Sequence, residues 1–327
     1  MKAEPESTPQ DDAARAGWLY YVAGLTQDQI AAELGVSRQR AQRLVSRAMA
    51  EGLIQVRLSH PLSACLQLEA ELSRAFGLVR CRVAPGLGPR GDSARATAAA
   101  AADLLETFLV DATPRTIALG TGRSLSAMAA ELQTQKVERH RIVSLIGNIS
   151  RDGSATFFDV VPRVADKLHA PYYPMLVPVV SASVEERALF QTLRPVQMAY
   201  ALAKAADVSF VGVGQMGADA PIYHDGFMSL EELEHLKSLG ATGEIIGCIY
   251  DRDGRYITTP TTAARGGVRI EPGSLAPVIG VAAGMTKVEA IHAALKGRIL
   301  NGLVTDEPTA IAILQHKQAA GAARDRT

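Results

Sequence analysis

Residues 26–50, TQDQIAAELGVSRQRAQRLVSRAMA, constrain the fold of this chain more than any other stretch. They read as two short helices around a tight turn. Thr26 is placed to cap the first helix, and Gln29 three residues on completes a capping-box pattern. Ile30, Ala31 and Leu34 form its apolar face, and Gly35 supplies a break that tolerates left-handed backbone. Ser37 caps the second helix, whose inward residues Ala41, Leu44, Val45, Ala48 and Met49 recur at helical spacing. Small Ala31 lets the two helices approach closely. This is the pattern of a helix-turn-helix.

The outward face of the second helix points to the partner. Arg38, Gln39, Arg40, Gln42, Arg43 and Arg47 stand off the apolar stripe, with no acidic residue among them. Arg and Gln are the side chains that make bidentate contacts to guanine and adenine in the major groove, and further arginines neutralise phosphates. A solvated helix of a small bundle would also carry charge. Capping, the glycine break and the acid-free face together favour DNA, with Thr26, Gln27 and Ser37 beside it as candidate contacts. The segment LIQVRL (residues 53–58) alternates like the strand of a small wing, and Arg57 there is placed to meet phosphate.

At 327 residues, length suggests about two domains. The 34 basic residues balance 34 acidic ones, so no global field attracts nucleic acid. Residues 35–60, by contrast, hold five arginines against one acid, Glu51. A compact basic patch on a neutral chain suits a specific DNA reader better than a general coat. Cys65, Cys81 and Cys248 are widely spaced, odd in number and without metal-ligand pattern, so inert thiols are expected, with no metal and no cofactor. Residues 1–12 are polar and acidic, unlike a signal peptide. No apolar run approaches the roughly 20 residues that cross a bilayer. A soluble, cytoplasmic protein is expected.

Residues 1–10 and the tail from about Lys317 read as disordered or frayed. A helix over Asp12–Val22 is expected to pack Trp18, Leu19 and Val22 on the two-helix unit, and Pro61 marks the exit from that unit. Domains are therefore placed at 1–60 and 61–327. Residues 62–78 form an amphipathic helix, either a linker or part of a dimer seam. Beyond it strands alternate with helices. TIALG (116–120), RIVSLIG (141–147), VSFVGVG (208–214), EIIGCIYD (244–251), VIGVAAG (278–284) and LVTD (303–306) read as six strands. Continuous apolar runs separated by helices imply an α/β, doubly wound, mostly parallel sheet behind an all-α (winged) helix-turn-helix domain.

Ligands of such sheets bind at the carboxyl ends of the strands. Gly120-Thr121-Gly122-Arg123-Ser124 follows a strand and opens a helix, so its backbone N–H groups suit an anion. A plain turn capped by Ser124 is the competing account. Gly284-Met285-Thr286-Lys287 repeats the arrangement, and a lysine at a helix N-terminus opposes the helix dipole unless an anion sits nearby. Gly212-Val213-Gly214-Gln215-Met216-Gly217 matches a dinucleotide fingerprint literally, but no helix start follows, which excludes a nicotinamide site. Gln215 and Asp219 stay as candidate ligand contacts. Asp251 is either a sugar ligand or the start of an aspartate turn in Asp251-Arg252-Asp253-Gly254. Asp306-Glu307 favours capping the next helix.

With these motifs in order, the chain resembles the SorC/DeoR-type sugar-binding transcriptional regulators of bacteria over nearly its whole length. The matching segments are YYVAGLTQDQIAAELGVSRQRAQRLVSRAMAEGLIQVRLSHP, GTGRSL (120–125), ADVSFVGVG (206–214), GATGEIIGCIYDRDG (240–254), GVAAGMTKVEAIHAAL (280–295) and LVTDEPTA (303–310). The resemblance implies a C-terminal domain with the fold of sugar-phosphate isomerases and glucosamine-phosphate deaminases that senses an effector. It implies effector phosphate on Gly120–Ser124 and Lys287, sugar hydroxyls near Gln215 and Asp251, and dimers or tetramers. Two departures stand out. Arg123-Ser124 follows Gly122 where a bulky or Thr-rich run is commoner, and AAGMTK replaces a paired-glycine form. A free polyol therefore stays open beside a sugar or sugar phosphate.

The expectation is a DNA-binding regulator of a carbohydrate or polyol catabolic operon, controlled by a sugar, polyol or sugar-phosphate effector. A sugar-phosphate isomerase or deaminase fused to a DNA-binding domain needs a converging base and acid. Asp219, His224 and Asp225 offer no clear catalytic cluster, so no enzyme is expected.

Overall fold

In the computed structural model, the structure describes residues 8–54, 62–88, 91–150, 153–154 and 160–324. The chain divides into two compact units, Met1–His60 and Pro61–Thr327.

The first unit is built from α1 (Pro9–Tyr21), α2 (Gln27–Glu33) and α3 (Arg38–Ala50). Each begins on a side-chain cap. Thr8 and Asp11 form a capping box on α1, Thr26 and Gln29 another on α2, and Ser37 accepts the Arg40 N–H of α3. Gly35, at φ +63°, makes the turn between α2 and α3. Ile30, Ala31, Ala41, Leu44, Val45 and Ala48 close a core with Ala13, Ala16 and Leu19 of α1.

Three expectations for this unit need correction. Helix α1 starts three residues earlier than Asp12, because Thr8 caps it and Pro9 suits a first helical turn. Trp18 and Val22 are exposed, at 54% and 65%; small Ala13, Ala16 and Gly17 face α3 instead, with Leu19. Leu53 and Ile54 form a turn against the core rather than a strand start. The rest of the expected wing, with Arg57, lies outside the described residues.

The second unit opens with α4 (Ser63–Phe76), which packs on β1 (Arg80–Ala84). There follow α5 (Ser93–Thr107), β2 (Thr116–Leu119), α6 (Arg123–Glu131), β3 (Arg141–Ile149), α7 (Val160–Leu168) and β4 (Tyr172–Pro178). Helices α8 (Val184–Thr192) and α9 (Arg194–Lys204) lead to β5 (Val208–Val211). A smaller layer follows: β6 (Gly214–Gln215), α10 (Pro221–His224), α11 (Leu230–Ser238), β7 (Ala241–Ile245), β8 (Cys248–Asp251) and α12 (Pro260–Ala263). The chain then returns to the main sheet with β9 (Val278–Val281), a 3-10 turn at Met285–Lys287, α13 (Val288–Lys296), β10 (Gly302–Asp306) and α14 (Glu307–Arg324).

The main sheet has seven strands in the order β1-β10-β9-β5-β2-β3-β4, all pairs parallel. Every residue of β2, β5, β9 and β10 is buried, as helices on both faces require. One apolar cluster joins α5, α6 and α7 to the sheet, and another joins α4, α9, α13 and α14.

The structure adds edge strands β1 and β4, which alternate between exposed and buried and lack a continuous apolar run. It also divides 244–251. Residues Ile246 and Gly247, both at positive φ, turn this run into the β7–β8 hairpin, so it leaves the parallel sheet for a three-stranded antiparallel one. The strand at 208 likewise ends at Val211. The tail from Lys317 is helical to Arg324, and Lys317 Nζ donates to the Ala75 carbonyl of α4.

Candidate effector site and DNA-reading face

The chain runs from β2 to β3 on one side of β2, and from β5 to β9 on the other. The carboxyl ends of β2 and β5 therefore flank the point where strand order reverses, where a crevice forms in such sheets. A cavity of about 540 Å³ lies there. Its walls include Thr121, Gly122, Arg123 and Ser124 after β2, Gly212–Gly214 after β5, and Lys287 before α13. Two of the three expected glycine loops and Lys287 thus meet in one cavity. Gly120 lies behind the wall, donating its N–H to the Phe210 carbonyl.

Both anion-suited loops turn through backbone that only glycine adopts readily. Gly122 stands at φ +110° and Gly284 at φ +117°. Helix α6 begins at Gly122 with no side-chain cap, and Ser124 is a buried wall residue rather than that cap. The positive end of α6 therefore faces the cavity. The Gly284 loop is held from behind, its N–H donating to Thr309 Oγ1 at 2.8 Å while Asp306 accepts the Thr309 N–H at 3.0 Å.

Sequence reasoning missed the acidic half of the site. Glu244 of β7 lines the cavity and accepts the Gly247 N–H. Burial pushes its carboxyl pKa up, against the Gly247 hydrogen bond and the charges of Arg265 and Lys287. Burial pulls the Lys287 pKa down; Glu244 opposes that shift, Arg123 reinforces it and Asp92 opposes it. Lys287 and Glu244 line the same cavity with opposite charges. Arg265 is 3% exposed, donates to Glu232 Oε1 at 2.8 Å and to the Phe227 carbonyl at 3.2 Å, and lines the same cavity. Its Nε is buried without a hydrogen-bond partner among the described residues. Arg123 pairs with Asp225 at 2.9 Å across the cavity wall. A charged residue inside the apolar run GEIIG was the available signal for Glu244. Nothing local marks Arg265.

Three candidates fall elsewhere. Gln215 Nε2 donates to Asp219 Oδ1 at 2.9 Å and Gln215 Oε1 accepts the Gly217 N–H, so the pair braces the loop after β6. Neither is among the cavity walls. Asp251 makes the aspartate turn, Oδ1 accepting the N–H groups of Asp253 and Arg255 at 2.8 and 2.9 Å. It borders a second cavity beside Asp253, Glu289 and His316, away from both glycine loops. Asp251 Oδ1 thus serves the aspartate turn, and Asp251 is not among the residues lining the cavity at β2 and β5. The thiols of Cys81 and Cys248 are pushed up by burial to about 12 and about 11, and that of Cys65 is raised for the same reason, which leaves all three as thiols at neutral pH.

In the first unit, Arg38, Gln39, Arg40, Gln42, Arg43 and Arg47 are all exposed along α3. Thr26 is also exposed, but its hydroxyl and N–H are engaged by Gln29. Gln27, the first residue of α2, is half-buried. Ion pairs join Arg38 to Asp28 at 3.4 Å, Arg40 to Asp12 at 3.8 Å and Arg47 to Glu51 at 2.5 Å.

Comparison with known proteins decides the family. A model described as "Putative sugar-binding domain" matches residues 60–315, and a MarR family model matches 16–61. The chain belongs to the sugar-binding transcriptional regulators. It is 33% identical to the erythritol catabolism regulatory protein EryD of Brucella abortus, over 92% of this chain and 96% of that one. It is 33% identical to the transcriptional regulator LsrR of Klebsiella pneumoniae over 92% of each. The full-length sorbitol operon regulator SorC of Klebsiella pneumoniae shares its fold, with a TM-score of 0.68 at 24% identity, covering 94% of this chain and all of SorC. The matched relatives are regulators of transcription. Among the described residues no helix is long and apolar enough to cross a membrane.

Proposed function

We propose that this family member binds operator DNA through α3 and that a small sugar, polyol or sugar phosphate in the cavity at β2 and β5 sets its DNA affinity. The observation that carries this reading is the convergence of the uncapped α6 N-terminus, Lys287, Glu244 and Arg265 on one cavity. The α6 N-terminus and Lys287 suit an anionic or electron-rich oxygen. Glu244 opposite suits donating hydroxyls. A polyhydroxylated ligand satisfies both.

The regulated genes are those of a carbohydrate or polyol catabolic operon, and the protein works in the cytoplasm as a homodimer or homotetramer. It is a sensor and not an enzyme. Within the cavity Glu244 accepts the Gly247 N–H and Asp225 pairs with Arg123, an arrangement for binding rather than proton transfer. The ligand must favour one DNA-binding state over another, since equal affinity for both shifts nothing.

Gel shifts on the DNA upstream of the neighbouring operon test this, with erythritol, longer polyols, free sugars and their phosphates as the panel. One chemical class is expected to change the fraction of DNA bound. No response to any of them contradicts the reading, and turnover of a sugar phosphate by the purified protein would replace it with an enzyme.

A further inference from the structure

Four arginines on α3 look equivalent in the sequence, but the structure divides them. At about 100° per residue, the buried residues Ala41, Leu44, Val45 and Ala48 define one face. Gln39, Arg43 and Ser46 stand within about 30° of the point opposite, in one stripe. All three are exposed, and among the described residues none has a side-chain hydrogen bond or ion pair. Arg38, Arg40 and Arg47 lie about 70–110° round the helix from that point. Each leans on an acid, Asp28 of α2, Asp12 of α1 and Glu51 after α3.

Resting on the DNA-binding reading above, we propose that Gln39 and Arg43 read base edges, with Ser46 as a permissive third contact. Arg38, Arg40 and Arg47 orient the helix and meet only phosphates. A recognition helix presents the residues furthest from its own core to the groove floor, while those at its flanks face the two phosphate walls. The exposed ion pairs at the flanks are weak enough for phosphate oxygens to replace their acids. Gln39 and Arg43 are about 6 Å apart along the helix, close to two base-pair steps of about 3.4 Å. The half-site therefore contains an adenine, matched by the Gln39 amide, and a guanine, matched by the Arg43 guanidinium, within two steps of each other.

Selection of the full-length protein on a library of randomised DNA duplexes, with and without the ligand panel, tests the division. Wild type should enrich an adenine and a guanine at that spacing. Arg43→Lys keeps the charge but replaces the rigid planar fork with a flexible point charge, so guanine preference should fall about 10-fold with the salt dependence unchanged. Gln39→Ala should lose the adenine in the same way. Arg40→Ala and Arg47→Ala should keep the consensus, bind every sequence more weakly and lower the salt slope by about one. A thermal melt of Arg43→Lys should match wild type, since that side chain has no partner to lose. Retained guanine preference in Arg43→Lys, or a changed consensus in Arg40→Ala, overturns the proposal. A wild-type protein that enriches no sequence under any condition overturns the DNA-binding reading itself.

Discussion

Two ion pairs of similar chemistry sit in opposite surroundings. Arg265–Glu232 beside the cavity has side chains 2% and 13% exposed, whereas Arg38–Asp28 in the helix-turn-helix has 70% and 68%. Both partners of the first pair are shut off from water, and its Arg265 lines the cavity at β2 and β5. The second is held loosely in water, and either partner is available to something else. The Arg265–Glu232 pair is therefore structural, and the charge of Arg38 on α3 is kept on offer. A sensor needs that asymmetry, because one site must hold its shape around a small ligand while the other meets a polyanion that supplies its own countercharge.

The largest effect is expected at Arg265. Arg265→Ala leaves Glu232 buried without its partner and should cost about 3–5 kcal/mol, read by chemical denaturation of the second unit. A loss below about 1 kcal/mol would place that pair in the same class as Arg38–Asp28.

Acid sensitivity should also belong to the sugar-binding unit. Burial holds the His292 pKa down to about 4, with His316, Lys296 and Lys317 adding to the shift. The unfolded imidazole titrates near 6.5, so between those values the unfolded chain binds more protons. The His292 contribution is complete above about 6.5 and is lost as pH falls through about 4, by roughly 3 kcal/mol at most. His292→Phe should flatten that acid limb in pH-dependent denaturation. An unchanged limb would show that His292 is not its source.

Smaller effects are expected in the helix-turn-helix. Thr26→Ala removes the hydroxyl half of a capping box and Ser37→Ala removes a single cap, and each should cost about 1 kcal/mol. Arg38→Ala should cost well under 1 kcal/mol. The melting midpoint of the first unit, followed by the fluorescence of Trp18, reports all three. If Arg38→Ala is as damaging as Ser37→Ala, its charge is holding the fold rather than being kept for DNA.

How much could be read from the chain follows the same division. The helix-turn-helix is local: Thr26, Gln29, Gly35, Ser37 and the Ala41–Leu44–Val45–Ala48 stripe are all within 25 residues, so caps and period were visible. Packing between α1 and the other helices was not, because Trp18 looks like core and Ala13, Ala16 and Gly17 do not. In the sugar-binding unit the buried strands and glycine loops could be read from continuous apolar runs. The cavity could not. Glu244 and Arg265 reach it from strand and loop positions remote from the glycine motifs, and the β7–β8 hairpin brings Glu244 to the cavity that Lys287 also lines. Asp251 illustrates the converse, since its neighbours Asp253 and Arg255 already spoke for an aspartate turn.

On this reading the cavity governs what α3 does on DNA. The direct measurement is operator affinity of wild type and Lys287→Ala, titrated with whichever panel ligand shifts the wild type. Lys287→Ala should bind operator as wild type does without ligand and lose the ligand response by 100-fold or more in ligand concentration, at about 3 kcal/mol for a buried charge-assisted contact. An undiminished response at wild-type ligand concentrations would show that the cavity does not govern DNA binding through Lys287.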